Sequence, residues 1–294
     1  MARCLVTGHK GYIGTHLYNT LKRDGHEVLG IDLQEDFPKD IRDFFNEDFG
    51  SEVYPAYWNF RPEYVFHLAA NPRVLYSVEH PVTTTKNNII AGSMVLNFAK
   101  KVGAKRVIFS SSSSVVGNGR GPESPYALQK LFTEMECRLY SNLYGLDTVS
   151  LRYFNVYSPD QPADSAYATA IANWMRYIRE KKNPFITGDG EQRRDMVRVE
   201  DVVSANIFAM KYQEQFFGRY FDVGTGENIS LNEIKQIVLD CMPGIVFEYI
   251  EERRGDVKIS LADIEDLCQL GWKPQYTIEE GIHECFRRLK NEII

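Results

Sequence analysis

The chain has 294 residues, 44% of them hydrophobic, with a net charge of −6 and a pI near 5.6. That length allows one large domain or two small ones with ample core, and the acidic balance argues against nucleic-acid binding, which needs a basic patch and a high pI. The cysteines (4, 137, 241, 268 and 285) are scattered, odd in number and form no C-x-x-C pair, so reduced thiols are expected rather than a zinc site or a disulfide framework. No apolar run is long enough to span a bilayer, and a strand begins almost at once. We therefore expect no signal peptide, a cytoplasmic location, and no metal, membrane or nucleic-acid partner.

In chain order, 3–7 reads as a buried strand running into Gly8, Gly11 and Gly14, a G-x-x-G-x-x-G turn that opens a helical pattern at Ile13, Leu17 and Leu21. Gly8 permits the tight turn, Gly11 lets backbone approach a pyrophosphate, and Gly14 lets helix pack on strand. The helix N-terminus would face the anion. A second strand, 27–32, ends on Asp32, 18 residues beyond Gly14, where an acid bonds adenosine ribose hydroxyls. A carboxylate there repels a 2′-phosphate, and Leu33 and Gln34 offer no arginine to hold one, so NAD is expected over NADP.

A helix over 43–59, a strand over 64–69, a helix over 82–101 and a strand over 106–111 follow. Ser124 caps the next helix, Pro125 suits its first turn, and Gly145 ends it. Its periodic residues are Leu128, Leu131, Phe132, Met135, Leu139 and Leu143. Tyr126 and Lys130 lie four apart and share a face. A nearby ammonium favours the phenolate, so Lys130 is expected to lower the Tyr126 pKa and make it a general base near neutral pH. A strand at 148–153 completes the alternation of strands and helices, which predicts an α/β doubly wound parallel sheet with ligands at the strands' C-terminal ends.

Further on, a helix is expected over 165–182, a strand at 184–187, a helix at 201–212, and a return to the main sheet at 220–223. Ser230 caps a helix, and Thr277 to Glu280 starts the last one with a capping box. This divides the chain into a dinucleotide-binding domain, 1–156 with 196–223 returning to it, and a smaller C-terminal α/β substrate domain, 157–195 and 224–294. Arg193-Arg194 and Arg253-Arg254 concentrate positive charge in an acidic chain, and planar guanidinium forks suit a diphosphate.

These markers arrive in the order seen in the extended short-chain dehydrogenase/reductase family, which the chain resembles over nearly its whole length. They are T-G-x-x-G-x-x-G at 7–14, Asp32, D-I-R-D at 40–43, H-L-A-A at 67–70, the serine run 110–114, S-P-Y-x-x-x-K at 124–130, R-Y-F-N at 152–155, G-D-G-x-x-R-R-D at 188–195 and R-x-G-D at 253–256. Within the family it is similar to nucleotide-sugar epimerases and dehydratases. The resemblance implies a Rossmann fold and NAD contacts from Gly8, Gly11, Tyr12, Ile13, Gly14, Asp32, Asp40, Ile41, Leu68, Ala69, Ala70, Ser110, Tyr126, Lys130 and Tyr153. It implies Tyr126 as base, Lys130 on the nicotinamide ribose, and Ser112 on the reacting hydroxyl. Ser112, Asn155, Arg194, Arg253 and Ser260 would meet the nucleotide sugar, and Asn88 would be structural.

Family dehydratases carry an Asp-Glu pair after the Ser112 position, and UDP-glucuronate decarboxylases a glutamate; here those places hold Ser113 and Ser114. Neither supplies the carboxylate elimination needs. The run resembles that of 4-epimerases, which carry hydride from C4 to NAD and back through a 4-keto sugar. A small Ser260 leaves room for an acetamido group, and it could also cap a helix starting near 262. Val116 in place of tyrosine, and the short 117–126 segment, depart from the family pattern beside the sugar pocket. A UDP-hexose or UDP-N-acetylhexosamine 4-epimerase is therefore expected, as a homodimer paired through 85–101 and 126–144. The alternatives are another nucleotide-sugar enzyme of this fold, such as a dehydratase, a decarboxylase or a GDP-sugar epimerase or reductase, and a catalytically idle NAD-sensing protein.

Overall fold

The structure is a computed structural model that describes residues 1–32, 45, 51–52, 54–117, 119–163, 169–252 and 257–293. Its elements run β1 (Arg3–Thr7), α1 (Tyr12–Arg23), β2 (Glu27–Ile31), α2 (Pro55–Phe60), β3 (Tyr64–His67), α3 (Val74–Glu79), α4 (Pro81–Thr85), a π turn (Lys86–Ile90), α5 (Ala91–Val102), β4 (Arg106–Ser112), a 3-10 turn (Ser113–Val115), α6 (Pro125–Tyr144) and β5 (Asp147–Tyr153). Then come β6 (Asn155–Tyr157), α7 (Ala170–Arg179), β7 (Phe185–Thr187), β8 (Arg193–Arg194), β9 (Met196–Arg198), α8 (Val199–Lys211), β10 (Tyr220–Val223), β11 (Ile229–Ser230), α9 (Leu231–Cys241), β12 (Glu248–Ile250), β13 (Ile259–Ser260), α10 (Glu265–Gln269) and α11 (Ile278–Ile293).

Among the described residues the main sheet is parallel, six strands in the order β10-β5-β4-β3-β1-β2. This is a Rossmann fold. Thr7 lies between Ile31 of β2 and His67 of β3, so the strand order reverses at the C-terminal end of β1. Open parallel sheets take ligands at such a crevice. The described residues form two compact units, Met1–Arg152 with Val203–Phe221, and Tyr153–Val202 with Asp222–Ile294. In the first, Leu5, Val65 and Val107 of the sheet pack with Val95, Leu96 and Phe98 of α5. Strands covered on both faces read as continuous apolar runs, as here. In the second, Tyr157, Trp174, Ile186, Ile234, Ile282 and Phe286 form the core.

Helix ends follow their local chemistry. Ser124 Oγ accepts the Ala127 N–H at 3.2 Å, Pro125 opens α6, and Gly145 closes it in the left-handed region at φ 68°. Ser230 and Glu233 form a capping box on α9, and Thr277 and Glu280 bond reciprocally at the start of α11. The helix expected over 82–101 begins at Pro81, directly after the separate α3, and passes through the π turn to Val102. That turn points Asn88 inward, where it bonds both backbone groups of Asn71 and donates to Gln129 Oε1 at 2.7 Å. Ser260 lies in β13, and the helix after it starts only at Glu265, so Ser260 does not cap it.

The faces of α6 are reversed from the usual amphipathic arrangement. Leu128, Phe132, Met135, Leu139 and Leu143 are exposed, whereas Tyr126, Gln129, Lys130, Thr133 and Glu134 are buried. The apolar period announced the helix correctly, but its polar face is the one against the sheet.

Candidate active site

The crevice is built by the first unit. Gly8 follows β1 at φ 74°, and a Cβ there would lie 2.8 Å from Ala69 N. A Cβ on Gly14 would sit 2.0 Å from Gly8 O, and one on Gly11 would sit 3.2 Å from it. The first turn of α1 has no side-chain cap and no acidic residue, so its dipole is open to an anion. Asp32 directly follows β2, and its Oδ2 accepts the Lys10 N–H at 2.9 Å, which holds the carboxylate against the loop. Thr7 Oγ1 accepts the Ala69 N–H at 3.1 Å and bonds His67 Nδ1 at 2.8 Å, fixing the half-buried Leu68, Ala69 and Ala70 beside the loop. Tyr12 and Ile13, both half-buried, occupy the opening turn of α1. A backbone cradle closed to any Cβ, a helix N-terminus and a ribose-type acid together fit a dinucleotide. Asp40, Ile41 and Arg253 lie outside the described residues.

The residues expected to react lie on α6 and β4. Tyr126 is buried, its N–H donates to Ser77 Oγ at 3.1 Å, and the Ser112 side chain acts on its phenol in favour of the ionised form. Ser112 Oγ accepts both the N–H and the hydroxyl of Ser114, at 3.2 and 3.0 Å. With both lone pairs engaged, the Ser112 hydroxyl has only its proton left to offer. Lys130 is 4% exposed. Its Nζ donates to Ser110 O at 2.6 Å and lies 5.9 Å from the Tyr126 ring centre.

The expectation that Lys130 lowers the Tyr126 pKa needs correction for the chain by itself. Burial pushes the phenol up to about 12, with only the Ser112 side chain acting the other way. Burial also pushes Lys130 down to about 8, against the pull of Glu134. Both shifts come from desolvation of the charged form.

Lys130 therefore carries a stability cost with a definite sign. Between its folded pKa near 8 and the ordinary 10.5, the unfolded chain binds more protons, so stability rises with pH across that window. Below pH 8 the full penalty applies, at most roughly 3 kcal/mol. We expect Lys130→Met to unfold at higher denaturant than the parent at pH 7, with the difference shrinking by pH 10. A difference that grows with pH in urea titrations would contradict this.

In the second unit, Asn155 Nδ2 donates to Asp195 O at 2.7 Å and to Ser260 Oγ at 3.3 Å. Ser260 pairs with Arg194 in the β13–β8 register. Three of the expected substrate residues are thus neighbours. Asp195, fully buried, organises them. Its Oδ1 accepts the N–H and hydroxyl of Thr225, and its Oδ2 accepts the N–H groups of Gly226 and Ala262. Arg193, by contrast, is tied to Asn228 and Glu233. Tyr153 is buried at the end of β5. Glu134, Arg152, Ser114 and Asp195 carried no role in the sequence reading; the available signal was an acid four residues beyond Lys130.

A sequence profile described as the NAD dependent epimerase/dehydratase family matches residues 4–224. The chain belongs to that family. It is accordingly an NAD-dependent enzyme of nucleotide-sugar metabolism by kinship. Among similar curated proteins, a putative UDP-glucose 4-epimerase of Methanocaldococcus jannaschii is 32% identical, with 98% of each chain covered. A UDP-N-acetyl-alpha-D-glucosaminuronate decarboxylase of Bacillus cytotoxicus is 30% identical over 99% of each. Among solved structures, a UDP-N-acetylglucosamine 4-epimerase from Methanobrevibacter ruminantium M1, in complex with UDP-N-acetylmuramic acid, has a TM-score of 0.86 at 32% identity over 99% of each chain. Family members thus include both epimerases and a decarboxylase, and the residues after Ser112 bear on which chemistry this member performs.

Proposed function

We propose that the protein is an NAD-dependent nucleotide-sugar 4-epimerase acting on a UDP-hexose or UDP-N-acetylhexosamine. The observation that carries this reading is the buried Tyr126 at the start of α6 together with Ser112, whose hydroxyl is held by Ser114 in a 3-10 turn of serines. Tyr126 would accept the C4 hydroxyl proton, and Ser113 and Ser114 stand where elimination would need a carboxylate. Gly8, Gly11, Gly14 and Asp32 would hold NAD, with Leu68, Ala69 and Ala70 lining it. Bound NAD supplies a reversible hydride acceptor. Tyr126 takes the C4 hydroxyl proton as that carbon is oxidised and returns it when the carbon is reduced on its other face. The one proton left to Ser112 would be donated to the phenolate as it forms. Lys130, fixed on Ser110 O, contributes positive charge that offsets the cost of a buried phenolate. Asn155 and Arg194 would anchor the nucleotide while the 4-keto sugar turns. The short Ser260 side chain supports acceptance of an acetamido group.

The deciding experiment is a proton NMR time course of UDP-glucose and UDP-N-acetylglucosamine with purified protein, first without and then with NAD. Growth of the C4 epimer is expected, and the faster substrate reports on Ser260. If neither sugar changes with NAD present, the UDP-hexose assignment fails. Loss of carbon dioxide from a UDP-uronate would instead favour the decarboxylase reading that the Bacillus relative suggests.

We also infer a homodimer. Leu128, Met135 and Leu143 of α6 are 58%, 60% and 68% exposed, and Val82 and Ile90 on neighbouring turns are exposed as well. A continuous apolar face is unusual on a monomer, and a second copy presenting the same stripe would cover it isologously. We expect Met135→Glu with Leu139→Glu to convert a dimer to a monomer in sedimentation velocity. A parent chain that sediments as a monomer would overturn the inference.

A further inference from the structure

Glu134 lies four residues after Lys130, on the same buried face of α6, and is 6% exposed. It has no place in the proton transfer described above, yet both its oxygens are engaged. Arg152 of β5 donates from Nε to Oε1 at 2.8 Å and from Nη2 to Oε2 at 2.7 Å. Ser111 Oγ donates to Oε1 at 2.5 Å. The guanidinium also lies 3.5 Å from the ring centre of Tyr220. Consecutive residues of β4 therefore hold the two side chains, Ser110 through its carbonyl on Lys130 and Ser111 through its hydroxyl on Glu134.

A buried ion pair is a weak source of stability, because desolvation offsets most of the attraction. Next to a buried ammonium it has an electrostatic consequence that an apolar pair would lack. We propose that Glu134 and Arg152 are a positioning pair that sets the charge state of Lys130. Glu134 holds the proton on the lysine, and Arg152 limits that pull by neutralising the carboxylate. The inference rests on Tyr126 and Lys130 being the reacting pair.

The groups facing Lys130 allow this assignment. Tyr126 and Glu134 come from α6 itself, His67 from β3, and Phe109 and Ser110 from β4, while Arg152 of β5 joins the group through Glu134. His67 is buried and pushed down to about 3, with the Lys130 charge contributing, so it stays neutral. The helices and turn packed on the outer side of α6 present Ser77, Thr84, Thr85 and Asn88, none charged. Glu136 is directed to Ser93 of α5. Glu134 is thus the carboxylate that acts on Lys130 against its desolvation.

The test is a pH titration of the full chain labelled with ¹³Cε-lysine, the Lys130 signal being identified by its loss in Lys130→Met. Glu134→Gln should lower the Lys130 midpoint by about one pH unit, and Arg152→Met should raise it. The double variant, which strands no buried charge and so guards against misfolding of either single variant, should fall between Glu134→Gln and the parent. The pH profile of kcat should move in the same directions. Midpoints that coincide, or that shift the same way in both single variants, would overturn the proposal. The titration needs no substrate. The expected order of midpoints without any turnover of UDP-sugars would therefore support the pair while sinking the epimerase reading, and turnover with coincident midpoints would do the reverse.

Discussion

Replacing Tyr126 by Phe should lower kcat by about 10²–10⁴-fold, the range general acid–base catalysis supplies, and leave NAD affinity and stability nearly unchanged. The ring is buried and its position is set by the backbone bond to Ser77 and by the first turn of α6, both of which Phe retains. Only the hydroxyl leaves, and with it its interaction with the Ser112 side chain. A proton NMR assay of epimerisation, a fluorescence titration with NADH and a urea melt separate these effects. Turnover within tenfold of the parent would remove Tyr126 from the chemistry. A large loss of NADH affinity would instead make its role structural.

The other large effect is expected at Gly14→Ala. Intrinsic helix propensity favours alanine over glycine by roughly 1 kcal/mol, so a surface argument predicts stabilisation. Packing decides otherwise. The added Cβ would lie 2.0 Å from Gly8 O, 2.8 Å from Gly8 C and 3.0 Å from His9 Cα, all backbone atoms that no rotamer change can move. Either α1 retreats from β1 or the loop opens. Overpacking of that kind costs about 1–3 kcal/mol or more, and the shift falls on the loop that would hold the pyrophosphate. We expect loss of NADH binding by about 100-fold, equivalent to a cost near 2.7 kcal/mol, together with a lower urea midpoint. Gly25→Ala is the control. Its positive φ of 81° carries strain, but nothing lies within 4 Å of its Cβ, so it should cost stability, about 1 kcal/mol, without touching NADH affinity. Equal NADH affinity in Gly14→Ala and the parent would show that the cradle is not the dinucleotide site.

How far the site could be read in advance depended on the range of the interactions. The glycine turn and Asp32 were legible because tight turns, helix starts and strand ends are local, and few residue types satisfy them. The α6 helix was legible from its period and caps, but its orientation was not. Periodicity marks an apolar stripe without saying whether sheet, solvent or another copy covers it. Here Leu128, Met135 and Leu143 point outward, and the buried face carries Lys130 and Glu134. The phenol of Tyr126 makes the same point. A lysine four residues away predicts a lowered pKa, yet burial prevails and Lys130 is turned onto Ser110 O. Asp195 sat in a motif quoted for its arginines, and only the fold shows its carboxylate gathering Thr225, Gly226 and Ala262.

The amino-acid sequence by itself determined the alternation of strands and helices, the glycine turn with its acid, the Tyr126–Lys130 spacing and the absence of a carboxylate after Ser112. Each depends on residues within a turn or two of one another. Only the tertiary structure decided which way α6 faces, which partner each buried polar group takes, and therefore which protonation states burial favours. Those outcomes depend on desolvation and on contacts such as Glu134 with Arg152 and Asn155 with Ser260, made between segments that the chain's order does not bring together.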